Sequence, residues 1–494
     1  MPPRNFNVIL FAIATGLLCH VTYRNMRTAS ILGEAIELIE SNYVDPVERR
    51  ELVMAAMKGV VQQLDDNSSY FTVDAYESFQ DSMHQEFAGI GIYVEQPDET
   101  KPVRVVTPLV DSPALSAGLL PGDEILIVDG VDVSQMKLAD VSKRLKGPEG
   151  TIVSLQVGRQ DQRIDIQLQR DMIELESVIG DHRDANNQWV YRLKSEPSVA
   201  YIRMKSFGEK TVRELRDVLV DLDSNFSALV LDLRSNGGGL LYAARDVADM
   251  FISQGKIVDT RVRGGKMESE LTATPGTLVR PDIPMAVIID GSSASASEIV
   301  AACLQDNERA LIVGERSYGK GTVQEIMPLE YGRSALRLTV ARYFRPSNKN
   351  IHRDRDATED DEWGVTPDEG FRIPMDLASL ITLSNRWQKS SFPALAGIDP
   401  PESPLAVVSE QAGPVQAGPV QAGPDQAGPE QNKDGEQTTP AVTAEPSDKT
   451  IAKPSAKPSQ AAEENIQRGP AALADDPPLR AAVGHLLAKI KPSP

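Results

Sequence analysis

The spacing of hydrophobic positions changes three times along the chain. Over 29–84, Ile31, Ala35, Ile36, Leu38 and Ile39 recur at helical intervals until Tyr43-Val44-Asp45-Pro46 interrupts them. Leu52, Val53, Ala56, Val60, Val61 and Leu64 make a second apolar stripe, and Asp65-Asp66-Asn67-Ser68-Ser69 reads as a turn. This region is expected to be a helical packing or oligomerisation element. Over 85–170, short alternating runs (Ile90–Val94, Val103–Val106, Ile125–Val128, Val153–Val157) are punctuated by Ser112-Pro113-Ala114 and Pro121-Gly122-Asp123. From 198 onward, strand patterns at Val199–Met204, Ala228–Leu233, Pro284–Ile289 and Ala310–Gly314 alternate with helical ones at Lys210–Leu222, Leu240–Phe251 and Ser297–Leu304. Ala335–Phe344 adds further β pattern. Such alternation predicts a layered α/β core over 171–395.

The two ends read differently. Arg4 precedes a mostly apolar run from Val8 to Leu18, the length of a signal-peptide hydrophobic region and short for a membrane span. Residues 1–28 are expected to be a signal peptide or a signal anchor, which implies export and offers a membrane attachment. Leu17-Leu18-Cys19 is a poor lipoprotein site, and no A-x-A cleavage site follows. Beyond 396 a five-residue repeat beginning at Gln411-Ala412-Gly413-Pro414 runs four times, then Pro, Ala, Glu, Ser and Thr dominate. A stretch this poor in large apolar side chains cannot offset its chain entropy, so 396–475 is predicted to be a disordered linker. A short helix over 476–494 should close the chain.

Charge and composition exclude some functions. The 494 residues carry a net charge of −20, so the basic stripe of a nucleic-acid binder is absent. The length predicts more than one domain. The two cysteines, Cys19 and Cys303, do not make a disulfide framework, and the five histidines show no metal-ligand spacing. No metal or cofactor is expected.

The candidate chemistry lies between 291 and 324. Four serines (Ser292, Ser293, Ser295, Ser297) crowd the exit of a buried strand, and Gly319-Lys320-Gly321 follows. Ser295 and Glu298 satisfy the S-x-x-E capping-box pattern, so Ser295 can be read simply as a helix cap. The same position suits a nucleophile: it is flanked by alanines, and amides at a helix start can face a developing oxyanion. A second donor could come from Gly238 or Gly239. No histidine lies near enough in sequence to serve as base. Lys320 could serve if burial brought its ammonium down from ~10.4 toward neutrality. By spacing alone, Lys320 reads equally well as a surface lysine in a glycine turn.

Two sets of motifs carry a family resemblance. Phe87-Ala88-Gly89-Ile90-Gly91-Ile92, Ser112-Pro113-Ala114 through Gly118-Leu119, Pro121-Gly122-Asp123 and Val128-Asp129-Gly130 resemble a PDZ domain over 85–170. Successive amides there can cup a carboxylate, and the sheet edge can accept an extended peptide as an added strand. Gly89, Ile90, Gly91 and Ile92 are the candidate tail-binding residues, with Ile90 and Ile92 favouring an apolar terminal residue. Gly291-Ser-Ser-Ala-Ser-Ala-Ser-Glu298 with Gly314-Glu-Arg-Ser-Tyr-Gly-Lys-Gly-Thr-Val-Gln324 resembles the carboxyl-terminal processing peptidases. Tyr43-Val44-Asp45-Pro46, Asp232-Leu233-Arg234-Ser235-Asn236, Ala341-Arg342-Tyr343-Phe344 and Gly364-Val365-Thr366-Pro367-Asp368 extend the likeness. Many members have Asn-Asn-Pro-Gly-Gly where this chain has Ser235-Asn236-Gly237-Gly238-Gly239.

The resemblance implies a serine endopeptidase with a crotonase-like β/α core and an inserted PDZ domain. Ser295 is then the nucleophile, Lys320 the base and Gln324 the residue that aims the lysine. Ala296 with Gly238 or Gly239 supplies the oxyanion amides. Substrates would be exported proteins held by their C-terminal tails, and the enzyme would work in a bacterial periplasm or on a membrane facing it. The N-terminal helices would join copies into a homo-oligomer. Two rivals stand beside this reading. One is a catalytically silent PDZ adaptor that delivers tails to another protease; the other is an acyl-CoA enzyme built on the same core.

Overall fold

The computed structural model describes residues 31–98, 100–392 and 458–490. The expected signal segment lies outside the described residues, as does most of the repeat linker. The described chain divides into two compact units: a small one from residues up to Tyr76 and Gln324–Val340, and a large one from Glu77–Val323 and Ala341 onward.

In the small unit, residues 31–42 and Arg49–Val61 are helical. Ser69–Phe71 pairs antiparallel with Ala335–Arg337. The Asp65 carboxylate gathers the turn before that strand: it accepts from Asn67 N, Ser68 N and Thr339 Oγ1 at 2.8, 2.7 and 3.2 Å. The two helices leave Ile31, Leu32, Leu38, Val53 and Val60 exposed. No helix among the described residues is long and apolar enough to cross a membrane.

The large unit contains a small β domain and the layered core. The β domain's sheet runs Ile92–Glu95, Arg104–Pro108, Glu124–Val128, Ile152–Arg159, Gln162–Gln169, with antiparallel neighbours. Period-two alternation sends Val103, Val105, Ile125, Val153 and Val157 inward, against Leu119 and Val141. Ile92–Glu95 is the outer strand, with an edge open to a further strand. The chain enters on Glu86–Gly89 and leaves on Asp171–Glu174, and these two segments pair with each other as a neck. Buried Gln85 fixes the neck to the core: its Oε1 accepts from Lys210 N at 2.7 Å and Thr211 N at 3.1 Å.

The core sheet has four parallel strands: β1 (Glu196–Met204), β2 (Ala228–Asp232), β3 (Met285–Ile289) and β4 (Leu311–Gly314). The crossovers carry α1 (Thr211–Leu222), α2 (Leu241–Asp249) and α3 (Ala296–Asp306). Each strand carries a continuous apolar stretch (Val199–Ile202, Ala228–Leu231, Met285–Ile289 and Leu311–Val313) because both faces of the sheet are covered. Ile202, Leu229, Leu231, Val287 and Ile312 face α1–α3. Tyr201, Val230, Ile288 and Val313 face the opposite way.

The cover on that second face comes from the far end of the chain. After α4 (Leu377–Ser391), residues 458–490 return as α5 (Gln460–Arg468) and α6 (Pro477–Lys489). Leu479, Ala482, Val483 and Leu486 of α6 are buried against the sheet. This corrects one expected boundary: 458–475, assigned to the linker, holds α5 and packs Ala462 and Leu473 into the core, while the helix expected over 476–494 is α6. Low aromatic and high Ala content hid this: Ala481 and Ala482 pack in the cluster on the sheet's second face, and Gly484 lets the end of α5 approach, since a Cβ there would come within 2.8 Å of Gly469 Cα.

Candidate active site

The candidate residues cluster at the carboxyl ends of the parallel strands, where open α/β sheets place their sites. Three loops meet there: 233–240 after β2, 290–295 after β3 and 315–321 after β4.

The loop after β3 distinguishes its serines. Ser293 Oγ donates to Leu233 O at 2.8 Å and Ser297 Oγ to Asn236 O at 2.8 Å, both buried. Ser292 is exposed. Ser295 sits at the start of α3 with φ 55° and ψ −112°, a backbone state that costs a non-glycine residue roughly 1–3 kcal/mol. The surrounding hydrogen bonds hold it there.

The loop after β2 lies against Ser295. Ala294 N donates to Asn236 O at 3.0 Å. A Cβ on Gly238, whose φ is +97°, would stand 2.8 Å from both Ser295 Cβ and Ala296 N, so only glycine fits there. The Gly238 N–H is already given to Asn236 Oδ1 at 2.9 Å. The N–H groups of Gly239 and Ala296 take no acceptor among the described residues. Of the two candidate glycines, Gly239 therefore retains its donor.

The loop after β4 is tied to Ser295 through Glu298. This glutamate is on the first turn of α3 and 0% exposed. Its Oε2 accepts from Ser295 N and Lys320 N, each at 2.8 Å, so these two nitrogens are no more than twice that distance apart. Its Oε1 accepts from Ser317 Oγ and Gly319 N, each at 2.6 Å. Burial drives the carboxyl up to about 7, against the four donors that pull it down. Gly321 brings the chain onto the 351–352 backbone, where a Cβ would meet His352 N at 2.1 Å. Lys320 is half-buried between these fixed points. The sequence reading treats Glu298 only as a cap; its signal, the S-x-x-E spacing, is the same for a helix start and for a clamp.

Gln324 belongs to the small unit, where its amide donates to Thr339 Oγ1 at 3.4 Å. The tail-binding candidates lie in the β domain. Gly89 pairs with Asp171 in the neck, and Ile92 opens the outer strand. Gly91, with φ +74°, passes Ser112 so closely that a Cβ would come within 2.4 Å of Ser112 Cβ. Ile90, assigned to the apolar pocket from sequence, points instead into the domain core and is 2% exposed. It offers a ligand only its backbone. Among the described residues no His, Cys, Asp or Glu group could hold a metal ion.

Comparison with known proteins gives this arrangement its context. A profile of Peptidase family S41 matches residues 198–370 and a PDZ domain profile matches 104–159. A carboxy-terminal-processing protease of Bartonella bacilliformis is 35% identical over 374 residues, spanning 74% of this chain and 80% of that protein. A carboxyl-terminal-processing protease of Synechocystis sp. is 33% identical over 343 residues, spanning 68% of this chain and 75% of its own. Among solved structures, a photosystem II D1 C-terminal processing protease shares 27% identity across 68% of this chain and 91% of that chain, with a TM-score of 0.39. The chain belongs to Peptidase family S41: it is a serine-type peptidase, a C-terminal processing protease with a PDZ domain.

Proposed function

We propose that Ser295 is the nucleophile and Lys320 its general base, in an endopeptidase that cuts proteins near C-termini held by the PDZ domain. Ser295 Oγ attacks the scissile carbonyl carbon and passes its proton to neutral Lys320 Nζ. The N–H groups of Ala296 and Gly239 receive the oxyanion. The leaving amine takes the proton from Lys320; water, deprotonated by the same lysine, then attacks the acyl carbonyl, and Lys320 returns that proton to the departing Ser295 Oγ. Gln324 orients Lys320 in this reading, and the core is a crotonase-like fold. A substrate tail adds as a strand beside Ile92–Glu95, its carboxylate at the Gly89–Ile92 turn.

The observation that carries the reading is the Glu298 carboxylate, which draws the Ser295 and Lys320 backbones to one oxygen. The other three serines have structural hydrogen bonds or lie exposed. Incubating a protein with an apolar C-terminal tail with the wild type, Ser295→Ala and Lys320→Ala tests it. Both variants should lose at least 10³-fold in kcat. Equal cleavage by all three would return the chain to the adaptor reading.

The apolar residues exposed on the N-terminal helices support a second copy of this chain as their cover. Sedimentation should give a dimer or larger species, and Leu38→Glu with Val60→Glu should give a monomer. A wild-type monomer at micromolar concentration would refute that cover.

A further inference from the structure

Beneath the 233–240 loop lies a buried polar cluster that the catalytic reading leaves unused. Arg234, 2% exposed, opens the loop. Its Nε donates to Asp232 Oδ1 at 2.9 Å, and Nη1 and Nη2 donate to Asp476 Oδ1 and Oδ2 at 2.8 and 3.0 Å. The guanidinium fork is thus filled by two carboxylates, one from its own strand and one from the start of α6. Asp476 is 0% exposed and also accepts from Arg386 Nη2 at 2.7 Å. Its Oδ1 caps α6 by accepting from Leu479 N at 3.2 Å.

We infer that Asp476 is a positioning residue for the active site, acting through Arg234 on the loop that carries Gly238 and Gly239. The path is short and built from directional contacts. Ser235, next after Arg234, donates through N to Asp290 Oδ2 at 2.9 Å. Asn236 then receives Ala294 N and Ser297 Oγ, and its own Oδ1 holds Gly238 N. At the loop's far end Leu240 N donates to Phe207 O at 2.7 Å. Arg234 is therefore one of two end anchors. Without Asp476, Asp232 still holds the Arg234 backbone N at 3.0 Å and its Nε at 2.9 Å, but the buried guanidinium loses its second bidentate carboxylate, and re-seating the fork tilts the root of the loop. A displacement of about 1 Å in a donor aimed at an oxyanion costs on the order of 10² in rate. Asp476 lies beyond residues 393–457, so the loop geometry depends on a segment delivered from the far end of the sequence. Docking of that segment completes the site.

The inference rests on Ser295 being the nucleophile, and the test separates the two. In the full chain, Asp476→Asn should lower kcat per folded molecule roughly 10²-fold while KM for a tailed substrate stays within about threefold. Asp476→Glu, which keeps the charge one methylene away, should recover between about a tenth and a half of the wild-type kcat. A purely structural role would instead lower the thermal midpoint and leave kcat per folded molecule at half the wild-type value or more; that result overturns the inference. If Asp476→Asn does not fold, Asp476→Glu decides alone: kcat below half of wild type supports the inference, and half or above refutes it. Activity surviving in Ser295→Ala would instead bring down the catalytic reading itself.

Discussion

Glu298 and Asp476 are both fully buried carboxylates, and they titrate in opposite directions. Burial pushes Glu298 up to about 7 although it accepts four hydrogen bonds, because every donor is neutral. Burial would raise Asp476 as well, but Arg234 and Arg386 hold it down at about 2. Dipoles and charges are not equivalent compensation for a desolvated anion. The difference matches their surroundings. Asp476 sits in a permanent ionic cluster that fastens a terminal helix to the core. Glu298 instead ties the Ser295 and Lys320 backbones together through neutral donors alone, which leaves its desolvation only partly offset.

The largest break in this comparison should come from emptying the Glu298 position. Glu298→Ala leaves three backbone N–H groups and the Ser317 hydroxyl without their acceptor in a dry site. That should cost roughly 3 kcal/mol of stability, read by denaturant unfolding. It also frees the Ser295 and Lys320 backbones from each other, so activity should fall at least 10²-fold. Glu298→Gln is gentler. Its amide must face either Ser295 N and Lys320 N or Ser317 Oγ and Gly319 N, and both choices oppose a backbone N–H to an N–H donor. About a tenfold loss in kcat is expected. Wild-type activity in Glu298→Ala would show that the clamp does not set the geometry.

The layered core was legible because its strands carry continuous apolar runs with helices at regular intervals between them. Ser295 stood out from four serines only by resemblance; in the structure Ser293 and Ser297 are bonded to Leu233 O and Asn236 O, and Ser295 with Glu298 forms the capping box that the S-x-x-E spacing predicts. Partners distant in sequence were not legible. Nothing local marks Asp476 as the counter-ion of Arg234, 242 positions away. Ile90 alternates like a surface-facing strand residue, yet the Gly91 turn against Ser112 rolls it into the core. Helix 460–468 was masked by a composition that its Pro- and Ala-rich surroundings share.

The smallest expected effects come from pH, and here the two carboxylates should separate cleanly. The folded Glu298 is raised above its ordinary 4.5, so its contribution to stability is fully present below that value and fades as pH rises through about 7. Its ionised form is nonetheless the one that accepts all four donors. Cleavage should therefore climb with pH across the region around 7, and Glu298→Gln should lose that limb. Asp476 is depressed below its ordinary 3.8, so its stabilisation is present above that value and is lost as pH falls toward 2. The loss amounts to about 2 kcal/mol. Urea unfolding of wild type and Asp476→Asn between pH 6 and pH 2 measures it. The two curves should converge as the acid end is approached, because protonation removes the same charge that the substitution does. Parallel curves across the whole range would mean that Asp476 stabilises the core by packing and not by its charge, and the contrast with Glu298 would fail.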